Sequence, residues 1–171
     1  MTLNNVLVPI DFSECSDAAL WQARVMAAAS PHAKLHLFHV VVEPLHDVWE
    51  SYMPGPDFVG LLRDLEGAAT ARLAALRTPM ERANGAAVTA TSWGDPAEEI
   101  LKYARTHDID LIVCGTHQRQ GLSHFVMGST AERVVQSAPC PVFTVPARPM
   151  EEAERAETDV APEALTGAER I

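Results

Sequence analysis

The chain has no run approaching the roughly 18 uninterrupted apolar residues of a membrane span, and its first residues carry neither the charged start nor the apolar segment of a secretory signal. The expectation is a soluble, unexported, cytoplasmic protein with no membrane partner. Cysteine is scarce. Cys15, Cys114 and Cys140 share no CxxC spacing and sit in or beside apolar segments, which favours buried reduced thiols over a disulfide or a zinc site. No basic patch offsets the formal net charge of −10, so a phosphate-rich polymer is repelled and nucleic acid is set aside as a partner. Catalytic signatures are missing as well. There is no G-x4-G-K-[ST] phosphate loop, and no second acid is placed for Mg2+ beyond Asp11. GLSHF (121–125) departs from the nucleophile-elbow pattern at Phe125. Cys114, His117 and His124 lack a fourth metal ligand. No catalytic residue and no protein-held metal are assigned, and slow hydrolysis is the most that the sequence offers.

What is present fits one domain with a sizeable core: 171 residues, 47% of them hydrophobic. NVLVPID (5–11) is an apolar run closed by a proline and an acid, which predicts a buried strand ending in a turn. Ala19, Leu20, Ala23, Met26 and Ala27 recur at spacings of three and four, predicting a helix over 16–30. A second strand is predicted over 33–43, then a proline-rich loop over 44–56. Asp57 is positioned to cap a helix whose apolar stripe runs Phe58, Leu61, Leu62, Leu65, Ala69, Leu73, Leu76. AAVTATSW (86–93) predicts a third strand. GDPAEEILKYARTH (94–107) predicts a helix with Asp95 as N-cap and Pro96 in the first turn. Strands over 108–115 and 140–146 enclose a helix over 129–138. His36 and His39 are expected in the core or at a crevice edge with satisfied nitrogens, and Trp21 and Trp93 as packing anchors, with Trp49 in the long loop.

Alternating strands and helices, with strands apolar almost throughout, predict an α/β fold: an open three-layer α/β/α sandwich on a parallel sheet. In such sheets ligands bind beyond the carboxyl ends of the strands, where strand order reverses. GTHQRQGLSHFVMGSTAERV (115–134) leaves one of those ends. Gly128 and Ser129 precede a helix whose unpaired N–H groups and positive dipole end favour an anion. Ser129 and Thr130 add hydroxyls, and His117 or Arg119 can reach the same charge. The alternative is that Ser129 and Glu132 form an S-x-x-E capping box and the glycines only serve a turn. After Pro146 the composition changes: 147–171 carries seven acids, three arginines and no aromatic residue, which predicts a disordered acidic tail outside a 1–146 domain.

VLVPIDFSECSDAAL, LHLFHVV, GDPAEEIL and DLIVCGTH...GLSHFVMGSTAERVVQSAPCPVFTV occur in order along residues 3 to 146. On these motifs the chain resembles the universal stress protein family. The resemblance implies five parallel strands in the order 3-2-1-4-5, the adenine nucleotide alpha hydrolase-like fold, and a stress-responsive sensing or regulatory module. ATP-binding members carry G-x2-G-x9-G-[ST] after the fourth strand. Here Gly115, Gly128 and Ser129 match, and Gln118 stands where the second glycine would be, adding a side chain, a steric restriction and an amide donor. By the same resemblance Asp11 contacts the nucleoside and Pro9 and Val40 line the adenine pocket. The ligand is then ATP or another adenine nucleotide, with any Mg2+ carried on its phosphates. Asp11 is equally able to cap the first helix region through the amide of Ser13 or Glu14. The last strand, 141–146, would be a sheet edge, and edges tend to be paired or covered; a homodimer joined along it removes the exposed edge, as is the habit of the family. The other reading of the same fold is a nucleotide-free interaction module acting through the dimer, the 44–56 loop and the acidic tail.

Overall fold

In the computed structural model, residues 3–30, 32–42, 56–82, 86–116 and 127–146 are described. The elements run β1 (Asn5–Pro9), α1 (Glu14–Ala28), β2 (Lys34–Val41), α2 (Pro56–Arg82), β3 (Ala86–Trp93), α3 (Pro96–Thr106), β4 (Leu111–Thr116), α4 (Ser129–Ser137) and β5 (Val142–Pro146). The sheet is parallel throughout, as the alternation predicts, and its order is β3-β2-β1-β4-β5, as the resemblance implies. Strand order reverses between β1 and β4, which pair in parallel with Val6 against Leu111 and Leu7 against Ile112.

The apolar strands are explained by the two layers that they must satisfy. Val6, Val8, Leu35, Leu37, Leu111 and Val113 face one way, packing with Ala19, Leu20 and Ala23 of α1 and Leu73 of α2. The alternate residues Leu7, Phe38, Val40, Ile112 and Cys114 face the other way, against Ala97, Ile100 and Ala104 of α3 and Ala131 and Val134 of α4. Side chains alternate along a strand, so a sheet covered on both faces needs apolar residues at consecutive positions.

Several boundaries differ from expectation for local reasons. α1 begins two residues early because Ser13 takes the cap: its hydroxyl accepts from the Ser16 amide at 3.3 Å, and the buried Ser16 hydroxyl donates to the Ser13 carbonyl at 2.9 Å. α2 begins at Pro56, not after an Asp57 cap, because proline's fixed φ suits a first turn. β4 starts at Leu111, not at 108. Asp108 is left-handed (φ 48), and the Asp110 carboxylate accepts the Asn4 and Asn5 amides at 2.8 and 2.9 Å, making this stretch a turn. Trp21 is no packing anchor: it lies 48% exposed on α1. Trp93 is half-buried, and Trp49 lies outside the described residues. In α2 the predicted stripe narrows to Ala69, Leu73 and Leu76, with Leu65 exposed; Phe58 has no described side chain. Residues 44–55 of the predicted loop and the 147–171 tail also lie outside the described residues.

Gly67 sits exposed in the interior of α2, with nothing within 4 Å of where a Cβ would stand. Alanine there should raise unfolding stability by about 0.5–1 kcal/mol, since glycine in a helix carries the larger backbone entropy. Urea titration checks this; no gain, or a loss, refutes it.

Candidate functional site

Strand order reverses between β1 and β4, and a cavity of about 490 Å³ opens there, at the carboxyl ends of the strands. Its size falls in the range of small-molecule sites. Six described stretches build it. β1 and the turn after it supply Pro9, Ile10 and Asp11; the first turn of α1 supplies Cys15 and Ser16; the end of β2 supplies Phe38 to Val42. The first turns of α3 and α4 close the far side with Pro96, Ile100 and residues 128–131, beside Cys114 and Gly115 of β4. Of the residues singled out from sequence, Pro9, Asp11, Val40, Gly115, Gly128, Ser129 and Thr130 all line this cavity. His117, Gln118 and Arg119 lie outside the described residues.

The start of α4 decides between the two sequence readings of Ser129. Gly128 occupies the cap position (φ −63, ψ 150), Ser129 is already helical, and no side chain caps the helix. The Ser129–Glu132 capping box therefore does not form; the Glu132 amide makes an ordinary helical bond to the Gly128 carbonyl at 2.9 Å. The two helices flanking the same cavity are built differently: α1 is capped by Ser13, and α3 by Asp95, which accepts from the Glu98 amide at 3.0 Å. A helix start without a side-chain cap presents amide hydrogens and the positive dipole end to whatever occupies the cavity.

Gly128 has a φ that any residue can adopt, so its place here does not rest on torsional freedom. Gly115 lines the cavity and also has a packing role that the sequence does not reveal. A Cβ there would stand 2.3 Å from the Cys15 carbonyl oxygen and 2.4 Å from its carbon, so this glycine lets α1 start directly on β4.

The β1–α1 turn is held by several contacts at once. The Asp11 carboxylate accepts from the Ser13 amide at 3.0 Å and from the Ser13 hydroxyl at 2.5 Å, which is the capping role weighed in the sequence, carried out while Asp11 also faces the cavity. Phe12 takes a left-handed backbone (φ 62), a strained state for an aromatic residue. Its ring lies against His39 (centroids 4.7 Å apart), and the Arg72 guanidinium sits 3.8 Å over its centre. His39 in turn donates from Nδ1 to the Ile10 carbonyl at 2.6 Å. Sequence reasoning missed the Phe12–Arg72 pair, because partners 60 positions apart leave no local pattern.

Neither cysteine of the described cavity wall is activated as a nucleophile. Burial pushes the Cys114 thiol up to about 11 and raises that of Cys15 as well, the latter against a hydrogen bond from Ser13, so both remain protonated near neutrality. All three cysteines are free; Cys15 and Cys114 are buried as expected, and Cys140 is half-buried. Among the described residues no group of three or more His, Cys, Asp or Glu gathers to hold a metal ion, and no helix is long and apolar enough to cross a membrane.

Comparison with known proteins gives concordant matches. The model of the universal stress protein family covers residues 2–146. The universal stress protein YxiE of Bacillus subtilis is 34% identical over 153 residues, covering 83% of this chain and 98% of its own length. The solved structure of the Methanocaldococcus jannaschii protein MJ0577 superposes with a TM-score of 0.72 at 24% identity, covering 87% of this chain and 99% of its own. An Arabidopsis thaliana universal stress protein family structure with AMP bound has a TM-score of 0.61 at 19% identity, covering 86% and 94%.

Proposed function

The chain belongs to the universal stress protein family, and from that premise we propose that it binds ATP or another adenine nucleotide between β1 and β4. It would act as a cytoplasmic, homodimeric sensing or regulatory module and not as a catalyst. The observation that carries this reading is the start of α4: a helix terminus without a side-chain cap, opening on the one described wall of the cavity that offers amides and hydroxyls to an anion. Phe38, Val40, Val41 and Ile100 give the cavity an apolar part that suits a flat aromatic base. Phosphates would then meet the amides after Gly128 with the hydroxyls of Ser129 and Thr130, the base would lie near Pro9 and Val40, and the Asp11 carboxylate would accept from a sugar hydroxyl. His117, Gln118 and Arg119 would close over the phosphates from the connecting segment. Any Mg2+ would arrive on the triphosphate, whose charge it partly neutralises. That a family member of the same fold has AMP bound supports the ligand class. For the homodimer, support comes from β5, which pairs only with β4 among the described residues and leaves Phe143 42% exposed.

The test is calorimetric titration with Mg·ATP, together with mass analysis of whatever the purified protein releases on denaturation. Wild type should bind. Gly128→Asp, which sets a carboxylate before the amides, should weaken binding about tenfold or more, since about 1.4 kcal/mol suffices for that factor. Gln118→Gly should tighten it. If wild type takes up no adenine nucleotide and neither substitution matters, the interaction-module reading replaces this one. Sedimentation of the same samples reports the dimer.

A further inference from the structure

The described wall of the cavity contains one carboxylate, Asp11, and neither a lysine nor an arginine, in a chain whose net charge is −10. Among the described residues, the attraction on a phosphate entering it comes mainly from the amide end of α4, worth about half a unit charge. The neighbouring start of α3 works against that attraction, because Asp95, Glu98 and Glu99 crowd one helical turn beside Pro96, which lines the cavity. Glu99 is answered by Ser92 of β3 at 2.7 Å and by Lys102 of its own helix at 3.1 Å. Asp95 and Glu98 are answered from the other helix. Arg133, in the second turn of α4, donates from Nη1 to both Asp95 oxygens at 2.9 and 2.8 Å and from Nη2 to Glu98 at 3.3 Å. Glu132, the one acid in the first turn of α4, is engaged by Gln136 at 3.3 Å.

We propose that Arg133 is a positioning residue for the phosphate end of the site: it cancels the Asp95 and Glu98 charges beside the anion-binding amides and fixes the start of α4 against the start of α3. The proposal rests on the adenine-nucleotide reading above. It predicts a role in affinity and not in folding, because the side chains are exposed (48% for Arg133, 41% for Asp95 and 72% for Glu98) and exposed pairs contribute little to stability. The forked geometry also predicts that lysine substitutes poorly, since an ammonium cannot bridge two carboxylates in one plane.

Titration with Mg·ATP and with adenosine, at low and at high salt, tests this on Arg133→Ala, Arg133→Lys, Asp95→Asn and the Arg133→Ala/Asp95→Asn pair. Asparagine keeps the cap of α3 while removing its charge. At low salt Arg133→Ala should weaken ATP about three- to tenfold while leaving adenosine unchanged, and the loss should shrink as screening rises. Arg133→Lys should fall between. Asp95→Asn alone should bind ATP at least as well as wild type, and added to Arg133→Ala it should restore most of the loss. ATP affinity unchanged in Arg133→Ala, a parallel loss for adenosine, or no recovery in the pair each overturn the proposal while wild-type binding stands. Wild type that binds neither ligand overturns the underlying reading and this one with it. Should Arg133→Ala not fold, weaker ATP binding by Asp95→Asn is enough to refute it.

Discussion

Alanine at Gly115 is expected to destabilise the domain by about 3 kcal/mol, toward the upper end of overpacking substitutions. The added methyl carbon would lie 2.3 Å from the carbonyl oxygen of Cys15, 2.4 Å from its carbonyl carbon and 2.9 Å from its Cβ. Two of these atoms are backbone, so no rotamer change relieves the overlap; the first turn of α1 must lift away from β4. That turn carries the Ser13 cap and the packing of Ala19, Ala23 and Leu20 behind it, so the displacement spreads into the core. Urea unfolding without nucleotide should show a lower midpoint at unchanged slope, and the melting temperature should drop by about 10 °C. Stability within 1 kcal/mol of wild type would refute the account. Loss in ligand-free protein separates packing from phosphate contact, the role that the family motif suggests for this glycine.

Acid is the second lever. His36 is 6% exposed beneath α3, with Nδ1 3.1 Å from the Tyr103 hydroxyl and Nε2 3.2 Å from the Asn5 side-chain oxygen. Asn5 donates its amide to the Asp108 carbonyl, which fixes the oxygen toward His36, so Nε2 carries the proton and Nδ1 accepts from Tyr103. The neutral ring satisfies both partners; a second proton would leave two donors facing the tyrosine hydroxyl. Burial first, then His107 and Lys34, depress its pKa from 6.5 to about 4. Between these values the unfolded chain binds the proton that the folded one refuses. Stability is therefore full above pH 6.5, declines as the pH falls toward 4, and loses nothing more to this group below that. At 1.36 kcal/mol per unit the loss is about 3 kcal/mol. Urea titrations from pH 7.5 to 4.5 on wild type and His36→Gln measure it. Glutamine can serve both partners without titrating, so its stability should fall less steeply; parallel curves would refute the assignment.

The parallel α/β layering was legible because it follows from alternation and from short motifs, whereas the strand order came with the family resemblance. Val6 to Val8 reads as a two-faced strand whatever surrounds it, and Asp95–Pro96 specifies a helix start by itself. Trp21 was misjudged because a helical stripe does not say how wide the partner layer is, and α1 buries only Ala19, Leu20 and Ala23 around it. The Ser129–Glu132 spacing fits a capping box, yet the helix begins one residue earlier than the box requires, a choice made by the backbone. Gly115 shows the deepest limit. Its reason lies with Cys15, a hundred positions away, and only the packed structure brings the two together.

The cavity draws its wall from scattered stretches between residues 9 and 134, while four of the five strands are complete by residue 116. During synthesis, then, most of the sheet has left the ribosome before a binding site exists, and the nascent domain must reach that stage without help from any ligand. A chain interrupted between 116 and 128 would keep four of its five strands and lack the α4 amides that the proposed site offers an anion.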